Sequence, residues 1–413
     1  MYPASGLVQL STVSTEADTG TNTGAVRKVY KDHNLHVLFA ITLMAVLGVT
    51  SVTPAFPRII EAFDISRGQV GLLITMFTLP GIVLTPVLGV MSDRYGRKKI
   101  LVPALLLFGL AGGLCFLSTS FGMLLTLRFF QGMGAAALGT LNVTVIGDIY
   151  WGRERSAALG YNSSVLSTGT ATYPGIGGLL ATFGWFYPFL LPLLAIPIAF
   201  VVLFSLHNPE PENDQTLKDF FKGVFDNIWP RLQNVKILGL LGASLITFII
   251  LFGAQLAYFP ILMSERFGAP PVVIGTILSG ASLTTALTSS QLGRLTGRFT
   301  EKTLLKIAFV LYALALAVAS FIPSLWLLLI PAVILGVANG INIPNIFSLL
   351  NEVAPADNRG AFLSINGMIL RLGQTIGPLF MAAIAVPLGL TGAYLAAAAV
   401  ALAAFVMVLL ILR

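Results

Sequence analysis

Residues 89–101 read GVMSDRYGRKKIL, and residues 293–302, an offset of 204 positions, read GRLTGRFTEK. Gly89 falls on Gly293, Arg94 on Arg298 and Lys98 on Lys302. The same offset carries Gly132 onto Gly336, Asp148 onto Glu352, Arg155 onto Arg359, Gly169 onto Gly373 and Pro174 onto Pro378, without a gap between 89 and 174. A single offset held over this distance means one structural unit used twice. Each copy sets its charged stretch between apolar runs. The unit is therefore a bundle of spanning helices with a charged turn, and the two copies stand parallel about an axis along the membrane normal.

The composition agrees. The chain has 413 residues, 56% hydrophobic and 10% charged, with a mean hydropathy of +0.88. That leaves too little polar material to coat a soluble domain of this size. Apolar runs of about 18 residues or more recur, each able to cross a hydrocarbon core about 30 Å thick. Twelve spans are expected, near 36–56, 69–90, 100–117, 121–147, 156–182, 186–206, 237–262, 271–293, 304–322, 325–350, 361–387 and 391–412. The fold class is an all-α membrane protein with two pseudo-symmetric six-helix bundles, 36–206 and 237–413. Residues 1–35 are expected as a disordered tail ending in the basic patch Arg27, Lys28, Lys31, with no cleavable signal peptide. In the connection 207–236, Leu217, Phe220, Phe221, Val224, Phe225, Ile228 and Trp229 recur at helical spacing opposite Lys218, Asp219, Lys222 and Asp226. That pattern predicts an amphipathic helix in the headgroup plane.

An even number of spans puts both termini on one side. Of the 24 Lys and Arg, only Arg58, Arg67 and Arg266 fall on the other side, and only Arg128 and Arg371 fall inside spans. Basic loops stay cytoplasmic, so both termini are expected in the cytoplasm, with the protein in the cell membrane. The net charge of +7 and pI of about 9.6 follow from those loops and do not call for nucleic acid. The single cysteine, Cys115, rules out an internal disulfide and a thiolate metal cluster. No Ser–His or Cys–His pair and no metal-ligand set falls at membrane depth, and no phosphate-binding Gly-x4-Gly-Lys-Ser/Thr loop occurs. An enzyme, a resident cofactor and direct ATP drive are thus unsupported. The expected partners are the lipid bilayer and a small-molecule substrate, with the chain acting as a monomer.

Three ordered motifs carry a resemblance. After the second span stand Gly89, Asp93, Arg94, Gly96, Arg97 and Lys98; in the fourth, Arg128, Gln131 and Gly132; in the fifth, Gly160, Gly169, Tyr173, Pro174 and Gly177. With these the chain resembles the major facilitator superfamily, specifically its twelve-helix drug:proton antiporter branch. Tyr173 stands where that family has glycine. The resemblance implies alternating access, efflux of amphipathic organic compounds and a proton as coupling ion. It also implies that Asp93 faces the start of helix eleven, that Arg97 pairs with Asp148, and that these contacts with Arg94, Lys98 and Arg155 form a cytoplasmic gate. Positive-inside anchoring already accounts for Lys98 and Lys99, but not for Asp93. The second copy of the turn is degraded, with Gly297 in place of the acid. Gly132, Gly160, Gly169, Pro174 and Gly177, with Gly373, Gly377 and Pro378, read as packing and hinge positions.

At membrane depth a central charge costs on the order of 3 kcal/mol, so Arg128 and Arg371 should face protein or water. Arg128, Gln131, Gly139 and Asn142 share one helical face, as do Gly367, Arg371, Gln374 and Pro378. These two stripes are expected to wall a central cavity, joined by Tyr173, Gln255, Tyr258, Asn339 and Asn342. Each arginine also has a structural reading, as a group satisfied by neighbouring carbonyls. All 17 Asp and Glu lie outside mid-membrane, leaving Asp148 as the acid nearest the inner mouth for any proton coupling. Two buried positive groups without buried acids point instead to an organic-anion exchanger or uptake carrier. A membrane sensor that does not transport is a more distant alternative.

Overall fold

The computed structural model describes residues 29–208, 234–353 and 359–412, with side chains omitted for 359–364. The expected tail and most of the amphipathic connection lie outside the described residues. The described residues form helices and turns, with no strand among them. The first six helices are α1 His33–Phe63, α2 Arg67–Tyr95, α3 Arg97–Leu117, α4 Phe121–Ile149, α5 Gly152–Phe183 and α6 Tyr187–Ser205. Then come α7 Val235–Phe267, α8 Pro271–Ser290, α9 Glu301–Phe321 and α10 Trp326–Val353. The last helical stretch runs Arg359–Ile411, 53 residues, and breaks at Gly389, where φ is 67°. At 1.5 Å per residue that stretch is too long for one crossing. It is two helices, α11 (359–388) and α12 (390–411). Among the described residues twelve helices long enough to cross a membrane result, and most outrun the predicted spans at one or both ends. Polar caps finish them: Ser120 Oγ accepts from Met123 N, and Thr300 Oγ1 from Thr303 N.

Within the first bundle α4 packs against α2 and α3, and α1 against α5. Within the second, α10 packs against α8 and α9. The repeat is visible atom by atom. A Cβ on Gly132 of α4 would strike the carbonyl of Phe77 on α2, and one on Gly336 of α10 would strike that of Ala281 on α8. Both members of each contact are related by the offset of 204. Small residues at such points let backbones approach, which is how spanning helices associate when lipid is as apolar as leucine.

The bundles meet along two seams, α5 with α8 and α2 with α11. On one, Gly275 lies against Pro174; on the other, Gly71 lies against Pro378, its Cβ position 3.0 Å from the proline ring. These too are repeat-related pairs. Polar contacts join the seams. Gly175 N donates to Ser279 Oγ at 2.9 Å, and Thr75 Oγ1 donates to Thr375 O at 3.0 Å. Arg67 of α2 reaches Glu265 of α7 at 3.3 Å. Following the chain back and forth, all these contacts fall in the half of the molecule opposite the charged turns.

Candidate functional site

Below the seams, at mid-height between the bundles, lies a cavity of about 360 Å³. Eight helices wall it. Val46 and Thr50 come from α1, Phe77 and Thr78 from α2, Gly139 from α4, Leu166 and Thr170 from α5. The second bundle contributes Phe252 and Gln255 from α7, Ser282 and Thr285 from α8, Asn339 and Ile343 from α10, and Leu370, Arg371 and Gln374 from α11. The wall is mostly apolar, with a few amide and hydroxyl groups, as small-molecule sites are.

Four of the ten polar residues expected in the cavity wall line it, Gln255, Asn339, Arg371 and Gln374, as does Gly139 of the α4 stripe. Six do not, and each for a packing reason. Arg128 is 1% exposed and turns toward α1 and α2. Its Nη1 donates to Gly48 O at 2.7 Å and to Gln131 Oε1 at 2.8 Å, its Nε to Leu73 O at 3.2 Å, and its guanidinium lies 4.4 Å from the Phe77 ring centre. Gln131 is drawn inward with it. Asn142 bonds Thr42 and lies 3.4 Å from Asn162 Oδ1, pinning α4 to α1 and α5. Asn342 donates to Thr247 Oγ1 at 2.8 Å. Tyr258 is fully buried in α7, and Tyr173 is buried in α5 beside Gly169.

Residues 250–258 of α7 are wound as a π-helix. Gly253 and Gly377 pack backbone to backbone here, so α7 widens where it meets α11. Such widening is common where a helix presents groups to a site. It carries Gln255, whose Oε1 accepts from Asn339 Nδ2 at 2.9 Å; Asn339 Oδ1 in turn accepts from Tyr312 OH at 2.7 Å. Tyr312 thus holds the amide pair from behind.

The repeat could have found much of the wall. Thr78 and Ser282, Gly139 and Ile343, Leu166 and Leu370, and Thr170 and Gln374 are offset pairs, and all eight residues line the cavity. The sequence reading missed six of these eight, beyond Gly139 and Gln374, because it weighed charged, amide and phenol groups rather than symmetry.

At the charged turn, Gly96 has φ of 102°, a conformation suited to glycine, and reverses the chain from α2 into α3. Arg97 is 6% exposed. It bonds Asp93, donates from Nη1 to Ser92 Oγ at 2.7 Å, and donates from Nε to Asp148 Oδ2 at 2.9 Å. Asp93 is therefore held by its own turn, and the side chains at the start of α11 lie outside those described. Lys98 Nζ donates to Leu203 O at 3.1 Å on α6, and Arg94 stacks on Tyr95. The Arg155 guanidinium rests on Gly147. Tyr150 OH donates to Asp32 Oδ2 at 2.7 Å; burial and that carboxylate push its phenol well above the usual range. Gly89 has open space about it, as do Gly293 and Gly160. Among the hinge positions, Gly177 meets the Ser51 carbonyl and Gly373 lies against Leu245 O.

Residues 38–264 and 243–413 each match the Major Facilitator Superfamily. The chain belongs to that superfamily. It is a multi-pass membrane transporter of that fold. It is 28% identical over 370 residues to the bacillibactin exporter of Bacillus subtilis, covering 85% of this chain and 89% of the relative. It is 28% identical to multidrug resistance protein 1 of the same organism, covering 84% and 89%. To the class B tetracycline resistance protein of Escherichia coli it is 27% identical, covering 84% and 87%. Among solved structures, the nucleoside transporter NupG superposes with a TM-score of 0.79 at 10% identity, over 92% of this chain and 99% of that one. An inward-facing bacterial homologue of the human lysosomal transporter Spinster gives 0.77 at 18%, over 93% and 97%. In superfamily terms the cavity lies on the axis between the two halves, where such transporters bind cargo.

Proposed function

We propose that the chain exports amphipathic organic molecules from the cytoplasm by alternating access. The observation that supports this reading is the position of the cavity: between two repeat-related bundles and capped at one end by the α5–α8 and α2–α11 seams. The basic end faces the cytoplasm, because lysines and arginines resist translocation. Cargo enters from there, the bundles rock, the seams part and the charged turns close beneath. The names of the relatives, a bacillibactin exporter and multidrug and tetracycline resistance proteins, favour export over uptake. Phe77 and Phe252 supply aromatic surface for an apolar body, and Gln255 and Asn339 supply hydrogen bonds.

One chain encloses the cavity, so the working unit is the monomer. Proton exchange is the coupling that the drug-antiporter resemblance favours. Among the described residues no Asp or Glu lines the cavity, and Asp148 is held by Arg97 at the basic end. A coupled proton would therefore be carried at the rim rather than beside the cargo.

The test is flux in proteoliposomes of tetracycline, norfloxacin and ethidium, with and without an imposed pH gradient. Cargo movement that requires the protein supports the transport reading, and acceleration by a gradient supports proton exchange. No flux of any cargo under any gradient defeats export and favours a sensor.

A further inference from the structure

Arg371 is the one charged side chain that lines the central cavity among the described residues. Arg128, the other arginine expected in the wall, is tied to backbone carbonyls and takes no part in it. Among the described residues no carboxylate forms an ion pair with Arg371. Its Nη1 donates to Gln374 Oε1 at 3.2 Å, and its aliphatic stem lies on Gly81 of α2 in the opposite bundle, 3.2 Å from where a Cβ would stand. The stem is thus pressed against the far wall, with its guanidinium among the cavity groups. A neutral amide is a weak partner for a half-buried guanidinium on an apolar wall, and such a group is stabilised by an anion able to accept its forked donors.

The charge also breaks the symmetry of the site. The repeat-related position of Arg371 is Ser167, and that of Gly81 is Thr285. One side of the cavity therefore carries a positive charge and the other the neutral Thr285, with Ser167 outside the wall. The remaining wall offers aromatic and aliphatic surface from Phe77, Phe252 and Leu256.

We propose that Arg371 selects cargo bearing a single anionic group, a carboxylate or sulfonate, on an apolar or aromatic body. This rests on the export reading and adds to it the charge class of the cargo. The anion pairs with Arg371 while the apolar body lies against the phenylalanines, so the pairing bridges α11 to a body held partly by the other bundle. Cationic amphiphiles are repelled by the same charge.

The test uses two probes with one skeleton, 8-anilino-1-naphthalenesulfonate and its uncharged parent N-phenyl-1-naphthylamine, with tetraphenylphosphonium as the cation. Flux into proteoliposomes is measured for the full chain, Arg371→Gln, Arg371→Lys and Gln374→Glu, each checked for monodispersity and unfolding temperature. The full chain should favour the sulfonate over its neutral parent by about tenfold or more. Arg371→Gln should erase that ratio, and Arg371→Lys should keep part of it, because lysine holds the charge but not the fork. Gln374→Glu places a carboxylate beside Arg371 and should likewise erase the ratio, which keeps the test decisive should Arg371→Gln not fold. An unchanged ratio in both charge variants, or a wild-type preference for the cation, overturns the proposal and leaves export standing. Failure to move any of the three probes, together with the drugs above, overturns export itself.

Discussion

Arg97 and Asp148 lock the start of α3 to the end of α4: Nε donates to Oδ2 at 2.9 Å while the same guanidinium bonds Asp93 and Ser92. The acid of the charged turn and the acid of α4 thus share one nearly buried cation. Removing either leaves that cation short of a partner at a site where water reaches poorly, and the cost differs with what remains. Asp148→Asn should lower stability by about 2 kcal/mol, the scale of one hydrogen bond to a charged group. The measurement is thermal unfolding of purified protein in detergent, and an unshifted midpoint would show the pair to be idle. Asp93→Asn leaves Arg97 paired with Asp148, so insertion and abundance should hold. Turnover should nevertheless fall by about tenfold or more, because in the proposed cycle the charged turn that closes the basic end would lose its acid.

Gly175 and Ser279 face each other across the α5–α8 seam. A Cβ at Gly175 would stand 4.0 Å from that of Ser279, inside the range a disulfide spans. With Cys115 buried, the double variant Gly175→Cys, Ser279→Cys should crosslink cleanly under mild oxidation. Oxidised protein should lose transport and regain it on reduction, since a transporter that alternates must part this seam. Full flux in fully crosslinked protein would sink alternating access.

The spans and the duplication were legible in the sequence because both are written in local pattern: apolar length and a constant offset. The cavity was legible only in part. A polar residue in a spanning helix must find a partner, but that partner sits on another helix far along the chain. Asn142 finds Thr42, 100 positions away, and Asn162. The face that carries Arg128, Gln131 and Asn142 therefore points into its own bundle, although Gly139 between them reaches the cavity. The widened turn of α7 was equally hidden, since it depends on Gly253 meeting Gly377. Composition marks Gln255 as polar, but its place in the wall goes with that widened turn and with the bond from Asn339.

Arg128 is bound by two backbone carbonyls and a side-chain amide, and its guanidinium covers Phe77. Its role is to hold α1, α2 and α4 together, so Arg128→Gln should destabilise the protein by about 3 kcal/mol. Arg128→Lys should recover only part, because a point charge cannot serve three acceptors at fixed directions. Detergent unfolding measures both, and the anion preference of whatever folds should match wild type. A loss of that preference with normal stability would move Arg128 from packing to cargo selection.

Tyr312 reaches the cavity only through Asn339. Its hydroxyl donates to Asn339 Oδ1 at 2.7 Å, and Asn339 Nδ2 donates to Gln255 Oε1 at 2.9 Å. Tyr312→Phe removes one donor and leaves a buried amide oxygen unpaired, a cost of about 1–3 kcal/mol. Part of that cost should be relieved by Asn339 turning, which takes Gln255 with it and reshapes the wall beside the phenylalanines. Apparent affinity for cargo should therefore weaken by about tenfold while maximal flux changes less. A variant with unchanged affinity and lowered stability alone would confine Tyr312 to the core. The two readouts, concentration dependence of flux and unfolding temperature, separate these outcomes on one preparation.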